Sequence, residues 1–183
     1  MTDKRLIPPG LTYLADNITK KDNLLGTAKD VGARWAKELN LPGEADTIFF
    51  AGCGYQYSHE LESLMSVIRK MDKSAIGSEA AMNLASFQKK LGIDAAGIFR
   101  KVLAKDDDAA QPLRDAVKVL NNLGIKFGYL AEAEPCCGGL LHYIGMEKEF
   151  TRHARQVYDQ LKAKGVKSII GIVPSCTYTC LLY

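Results

Sequence analysis

Three short apolar runs punctuate the chain and predict three buried strands. The runs are Thr47–Ala51, Ile125–Leu130 and Ser168–Val173. Each is continuous rather than alternating, which is typical of strands in a parallel sheet that is covered on both faces. Stretches with helical periodicity separate the runs. We therefore predict an α/β fold, a small parallel three-stranded sheet flanked by helices, in which the first strand lies between the second and the third.

Apolar residues at helical spacing predict the helices around these strands. The predicted helices cover residues 27–39, 112–123, 139–144 and 147–164, and another begins at Ser58 or His59. Thr27 is expected to cap the first of them. In the helix of 147–164, the predicted buried stripe consists of Phe150, Ala154, Val157 and Leu161. This stripe leaves His153 on the solvent-exposed surface.

The alternation of strands and helices predicts one main domain with two additions. Residues 1–44, with Trp35 as a packing anchor, are expected to form an N-terminal helical arm or linker. Residues 45–183 are expected to form a cysteine-rich domain. Within it, two helical patterns at 79–91 and 95–103 predict inserted helices within residues 74–109.

Composition restricts the classes of partner. The chain has 183 residues, of which 47% are hydrophobic, and its net charge of +3 comes from 24 basic and 21 acidic residues that are interspersed. This pattern does not indicate nucleic-acid binding. The sequence has no secretory signal and no apolar run long enough for a membrane span. We predict a cytoplasmic protein, which includes one that is peripheral to a membrane complex.

All five cysteines follow a predicted strand. They are Cys53 after the first strand, Cys136 and Cys137 after the second, and Cys176 and Cys180 after the third. Because right-handed crossovers bring the carboxyl ends of parallel strands to one edge of the sheet, we expect the thiols to converge there. An odd number of cysteines with two adjacent does not suit a secreted disulfide framework. Metal ligands or redox thiols are the alternatives.

The chemistry and spacing of these thiols favour an iron–sulfur cluster. Soft thiolates also bind tetrahedral zinc, but zinc ribbons use two local Cys-x-x-Cys pairs. Here 82 residues separate Cys53 from Cys136, and 38 separate Cys137 from Cys176. A zinc-binding structural or assembly module remains an alternative. A thiol–disulfide redox protein that uses the adjacent pair is a third and less favoured one, because a vicinal disulfide is strained.

Three motifs resemble a known family. Glu134-Pro-Cys-Cys-Gly138, Phe49-Phe-Ala-Gly-Cys53 and Val173-Pro-Ser-Cys176-Thr-Tyr are similar to motifs of the CCG domain. This is the cysteine-rich module of heterodisulfide reductases and related iron–sulfur oxidoreductases. The resemblance covers about 45 to 180. It implies a [4Fe-4S]-type cluster, noncubane in some members, that transfers electrons to or from a disulfide, quinone or flavin partner.

The resemblance also implies ligands and a partner. Cys53, Cys136, Cys137 and Cys176 match the positions of family ligands. The expected partner is a redox subunit or a ferredoxin-like domain. Because the chain ends seven residues after Cys176, before the helix expected there is complete, we expect a fragment or one subunit of a larger assembly.

The chain departs from the family pattern in two ways. Val173 stands where the family has the first cysteine of Cys-x-x-Cys. Cys180 either replaces that ligand or is a buried structural thiol. The gap after Cys53 is roughly forty-five residues longer than the family's, which places the insertion at about 70–112, where it covers the site or docks a partner. The expected cluster is either a cubane in which every iron has a cysteine ligand, or a cluster in which one iron is left free to bind a substrate sulfur.

Other side chains near the predicted thiol edge have both functional and structural readings. His59 and His142 are outer hydrogen-bond donors, replacement ligands or structural histidines. Four tyrosines, Tyr55, Tyr57, Tyr143 and Tyr178, wall off the cluster or belong to the core. Glu132 and Glu134 place negative charge near the cluster or are solvated. The sequence has no phosphate-binding or dinucleotide motif.

Overall fold

The computed structural model describes residues 7–58, 60–62 and 110–183. Its elements, in chain order, are α1 (Pro9–Lys21), α2 (Lys29–Ala33), β1 (Thr47–Phe50), α3 (Gly52–Gln56), α4 (Gln111–Asn122), α5 (Gly139–Tyr143), α6 (Glu147–Ala163), β2 (Ser168–Gly171) and α7 (Pro174–Cys180). Short 3-10 turns cover Arg34–Ala36 and Ala131–Ala133. The described part is therefore a mixed α/β fold, as predicted.

Within the described residues, β1 and β2 form a two-stranded parallel sheet. Their register pairs Thr47 with Ser168 and Phe50 with Gly171. The predicted strand at 125–130 is not formed, since only Gly128 makes a parallel bridge, to Ile48. Pairing with β1 does not extend past this bridge, because the chain turns at Leu130, whose φ and ψ are −75° and −6°, and because the Ala51 N–H donates to the Glu134 carboxylate instead. The predicted three-stranded sheet is therefore reduced to two strands and a single bridge.

Helices cover β1 on both of its faces. Phe49 packs with Leu113 and Val117 of α4 on one face. Ile48 and Phe50 point to the other face, into a cluster that includes Val157 and Leu161 of α6. Every residue of β1 except Thr47 is buried. Burial on both faces explains why the run Thr47–Ala51 is continuously apolar.

The predictions for three helices in the C-terminal half are confirmed within a residue or so. The predicted ranges 112–123, 139–144 and 147–164 correspond to α4, α5 and α6. Pro112 lies in the first turn of α4, where its missing N–H has no intrahelical partner to lose. Glycines with positive φ, Gly124 and Gly165, follow α4 and α6. These start and stop residues carry most of the sequence signal for helix ends.

Two predictions for the N-terminal segment are wrong. The sequence did not indicate α1, which begins directly after Pro8 and buries Ala15 and Ile18. The predicted helix of 27–39 is shorter, because α2 ends at Ala33 and a 3-10 turn follows. Thr27 does not cap it. Trp35 is buried as predicted, and its Nε1 donates a hydrogen bond to the Tyr129 hydroxyl at 3.0 Å.

Several sequence predictions lie outside the described residues. These are His59, the helical patterns at 79–91 and 95–103, and the insertion at about 70–112 apart from residues 110–112. Ser58 and residues 60–62 are helical, as predicted for that region. Among the described helices, none combines the length and apolarity needed to cross a bilayer.

We predict that Gly32→Ala destabilises the fold. A methyl group at Gly32 would lie 2.7 Å from Tyr57 Cζ, and the buried aromatic ring has no free space to move into. The free energy of unfolding should fall by about 1–3 kcal/mol, as for other overpacked core sites. Chemical denaturation measures it. Gly43→Ala, where a methyl group meets no atom within 4 Å, is the control. Equal stabilities of the two variants would contradict the packing described above.

Candidate functional site

The five cysteines lie where the sequence places them, beyond the carboxyl ends of the sheet segments. Cys53 is in the first turn of α3, directly after β1. Cys136 and Cys137 occupy the loop between the Ala131–Ala133 turn and α5. Cys176 and Cys180 lie in α7, directly after β2. All five are free thiols, and each except Cys180 is buried.

Four of these thiols lie close enough together to shift one another's pKa. Cys136 interacts with Cys53 and with Cys137, and Cys137 also interacts with Cys176. We call these four residues the thiol chain. Three loops that are far apart in the sequence therefore meet at one edge of the sheet. A methyl group at Gly52 would lie 3.0 Å from Cys176 Sγ, which shows how closely the loops after β1 and β2 pack.

Cys137 is the member of the thiol chain whose neighbours favour its thiolate form. Hydrogen bonds from Cys136 and Cys176 lower the pKa of Cys137, and the Gly139 N–H and the nearby His153 add to this effect against the cost of burial. The same hydrogen bonds raise the pKa of Cys136 and of Cys176. One negative charge is thus shared among neighbouring thiols. A thiolate is the form of cysteine that binds metals.

Glu134 joins the loop of the adjacent cysteines to the turn that carries Cys53. Its carboxylate accepts hydrogen bonds from the N–H groups of Ala51 at 3.0 Å and Gly52 at 2.8 Å. It also accepts one from Gln56 Nε2 at 2.9 Å. Burial raises the pKa of Glu134 to about 8, although the two backbone hydrogen bonds oppose the shift. The reading of Glu134 as a solvated residue is therefore wrong, whereas Glu132 is exposed.

The peptide groups of Cys136 are held from two sides. Its N–H donates to Asp22 Oδ1 at 3.0 Å, and its carbonyl accepts a hydrogen bond from His153 Nε2 at 2.7 Å. Lys29 Nζ pairs with Asp22 Oδ2 and also donates to the Glu134 carbonyl at 2.9 Å. Residues of the N-terminal segment therefore contact the loop of the adjacent cysteines directly.

The two glycines after the adjacent cysteines are required by close packing. Gly138 has a φ of 71°, and a methyl group there would lie 2.5 Å from His153 Cδ2. A methyl group at Gly139 would lie 2.6 Å from Thr179 Oγ1 in α7. Only glycine combines the left-handed backbone with these contacts. Gly138 and Gly139 thus let α6 and α7 approach the thiol chain.

The histidine predictions have different outcomes. The prediction that His153 is a surface residue is wrong, because its side chain is only 5% exposed. His153 lies three residues after Phe150 and four before Val157, so it belongs to the buried stripe of α6. His142 is partly exposed, and its Nδ1 is 3.0 Å from Glu147 Oε1. This contact fits the structural reading of His142 rather than that of a ligand.

The tyrosines and Cys180 differ in burial. Tyr57 is buried, and it packs in the same cluster as Cys53 and Cys136, whereas Tyr143 and Tyr178 are each more than half exposed. Cys180 lies one helical turn beyond Cys176, and burial raises the pKa of its thiol to about 12. It is partly exposed and lies at the margin of the thiol chain.

Sequence reasoning missed three residues that shape the site: Asp22, Lys29 and His153. The first two lie more than one hundred residues before the loop they contact, so local pattern carries no signal for them. His153 had a signal, since positions three and four residues apart share one helix face. A predicted buried face of α6 that included the position three residues after Phe150 would have contained His153.

The donor set fits a thiolate-bound cofactor by its chemistry. Four buried thiols, one of them poised as a thiolate, are the soft ligands that iron–sulfur clusters use. Among the residues that the structure describes, no three His, Cys, Asp or Glu side chains are grouped so as to hold a single metal ion. The fit therefore rests on the identity and contact of the donors.

Comparisons with known proteins give local matches. The chain is 37% identical over 65 residues to one subunit of the dihydromethanophenazine:CoB–CoM heterodisulfide reductase of Methanosarcina mazei, covering 32% of this chain and 15% of that protein. It is 36% identical over 76 residues to EtfAB:quinone oxidoreductase of Syntrophomonas wolfei, covering 41% of this chain and 10% of that protein. The chain thus spans a small fraction of these relatives. No solved structure matches it.

A family model defines the C-terminal part. The model of the cysteine-rich domain called CCG matches residues 102–180. The match includes four of the five cysteines and leaves out Cys53. The sequence motifs, the converging thiols and this match agree on one assignment. Residues 102–180, which are less than half of the chain, are similar to the CCG family of cysteine-rich domains.

Proposed function

We propose that the chain binds an iron–sulfur cluster at the thiol chain and serves as a redox domain of a heterodisulfide-reductase-like oxidoreductase. One observation carries the proposal: buried thiols from three distant segments meet at one edge of the sheet, close enough to shift one another's pKa. A hydrophobic core needs no such arrangement of one residue type. The CCG match over 102–180 supports the same reading.

The proposed ligands are the four members of the thiol chain, and the proposed cluster is a [4Fe-4S] cubane. Such a cluster, when bound, gains and loses single electrons. The adjacent Cys136 and Cys137 would contact different irons. Cys53 belongs to the set on its contact with Cys136, although it precedes the part that matches the family model. Cys180 is the flanking thiol, one turn further along α7.

The protein's own contribution is to bury and orient these sulfurs. Glu134 fixes the loop of the adjacent cysteines against the turn of Cys53, and Asp22 and His153 hold the Cys136 peptide groups. Gly139 donates to the Cys137 sulfur, and a hydrogen bond of this kind stabilises negative charge on a ligand. Burial of the site lowers the local dielectric and keeps water from the sulfurs.

The proposed partner is a redox protein or domain. The names of the relatives refer to a heterodisulfide reductase and to a quinone oxidoreductase. We propose that the domain, taken as residues 45–183, exchanges electrons with a disulfide, quinone or flavin partner, through a redox subunit or a ferredoxin-like domain. Its proposed location is the cytoplasm, where it would work free or against a membrane complex.

The first test is the metal content of the anaerobically reconstituted protein. We expect a brown protein with about four irons and four sulfides per chain, as a [4Fe-4S] cluster requires. Cys53→Ser, Cys136→Ser, Cys137→Ser and Cys176→Ser should each lose most of the iron, whereas Cys180→Ser should retain it. Stoichiometric zinc without sulfide would instead support the structural zinc module. A metal-free protein with a Cys136–Cys137 disulfide in mass spectrometry would support the thiol–disulfide function.

A second prediction concerns Glu134→Gln. The amide would turn one N–H₂ group toward a site where Ala51, Gly52 and Gln56 all donate, so at least one buried donor loses its acceptor. Measured above the Glu134 pKa of about 8, where the side chain is ionised, the free energy of unfolding of the metal-free protein should fall by about 1–3 kcal/mol. The iron bound after reconstitution should fall as well, because the two ligand loops are no longer tied together.

Glu132→Gln is the matched control for this change. It makes the same substitution two residues earlier, on an exposed side chain, and should change stability by less than about 0.5 kcal/mol. If Glu134→Gln and Glu132→Gln proved indistinguishable in stability and in iron content, the bridging role of Glu134 would be refuted.

A further inference from the structure

We infer that Asp22 is a positioning residue of the thiol site, through which an N-terminal loop fixes the backbone of Cys136. The inference rests on the proposed function, since it concerns how a proposed ligand is oriented. It adds to it a part of the chain that the CCG match does not include, because Asp22 lies eighty residues before residue 102.

Asp22 contacts both the loop of the adjacent cysteines and Lys29. Oδ1 accepts the Cys136 N–H at 3.0 Å, and Oδ2 pairs with Lys29 Nζ. Lys29 Nζ in turn donates to the Glu134 carbonyl at 2.9 Å. One carboxylate and one ammonium group therefore hold two backbone groups of the same loop. His153 lies beside this carboxylate, with its Nε2 3.8 Å from Asp22 Oδ1, and donates to the Cys136 carbonyl.

Hydrogen bonds hold the loop that carries Asp22 in place. The loop between α1 and α2, residues 22–28, is fastened by two buried amides. Asn17 Nδ2 donates to the Leu24 carbonyl at 3.2 Å. Asn23 Nδ2 donates to the Thr27 carbonyl at 2.8 Å, and Asn23 Oδ1 accepts the Gly26 N–H at 2.6 Å. Asp22 is thus presented from a scaffold that is itself hydrogen-bonded and buried.

Asp22 has a left-handed backbone conformation at the end of α1. It follows the last residue of α1 with a φ of 53°, and its N–H donates to the Ile18 carbonyl at 3.0 Å. Glycine is the residue that this position favours on backbone grounds alone, and asparagine tolerates it. An aspartate here has a local conformational cost. The acceptor that it supplies to Cys136 gives the position a reason to carry a carboxylate.

This conformation makes a clean experiment possible. Asp22→Gly keeps the left-handed helix end and removes the acceptor, whereas Asp22→Asn keeps an acceptor oxygen and removes the charge. Asn40→Gly is the matched control, because Asn40 is also a non-glycine residue with positive φ and is exposed. The readouts are iron loss to a chelator, the electron paramagnetic resonance spectrum of the reduced cluster, and alkylation of Cys136 in the metal-free protein.

We expect Asp22→Gly to lose iron roughly tenfold faster than the unmodified protein, as the loss of one charge-assisted hydrogen bond implies. Its spectrum should shift, and Cys136 should be alkylated faster. Asp22→Asn should restore the spectrum and the alkylation rate, and Asn40→Gly should leave all three readouts unchanged. Unchanged readouts in Asp22→Gly, or an Asp22→Asn protein as defective as Asp22→Gly, would overturn the inference.

Two further arms keep the outcomes separate. If the unmodified protein assembles no cluster, the proposed function fails, while alkylation of Cys136 still decides the role of Asp22. If Asp22→Gly does not fold, Lys29→Met removes the ammonium group that pairs with Asp22 and donates to the Glu134 carbonyl, and it retains the apolar stem. Faster Cys136 alkylation in Lys29→Met than in Asn40→Gly would then support the inference, and equal rates would overturn it.

Discussion

The buried carboxylate of Glu134 links the parts of the site that the sequence keeps far apart. Its two oxygens accept hydrogen bonds from the backbone that leaves β1 and from Gln56 of α3, while its own residue leads into Cys136. Burying a carboxylate is unfavourable unless its hydrogen-bonding capacity is used, and here three donors use it. The position of the adjacent cysteines relative to Cys53 depends on this group.

The rest of the site is arranged around that link. β1 and β2 lie side by side, so the turns that follow them reach the same edge, and Cys53 and Cys176 arrive together. α6 brings His153 to the Cys136 carbonyl, and the N-terminal loop brings Asp22 to its N–H. The cysteines are thus positioned mainly by hydrogen bonds between side chains and the backbone of the loops that carry them. Side-chain packing around Cys53 and Cys136 comes from the cluster that includes Ile18, Tyr57 and Phe150.

Much of this arrangement could be predicted from the sequence, because it depends on local signals. Continuous apolar runs predicted β1 and β2, and apolar residues at helical spacing predicted α4 and α6. Because the cysteines follow the predicted strands, their convergence at one edge of the sheet could be predicted. The strand at 125–130 was wrong because an apolar run reports burial, whereas pairing also requires extended backbone, which ends at Leu130. Helix α1 was not predicted, although a proline in its first turn is compatible with a helix start.

The contacts of Asp22, Lys29 and Glu134 could not be predicted, since they join residues that no local pattern relates. The central claim is that the four sulfurs of the thiol chain bind one iron–sulfur cluster. Crystals of the anaerobically reconstituted protein, measured at the iron absorption edge, test it most directly. The account predicts one anomalous iron peak in contact with the sulfurs of Cys53, Cys136, Cys137 and Cys176. Iron located elsewhere, or these sulfurs bound to zinc or joined in disulfides, would contradict it.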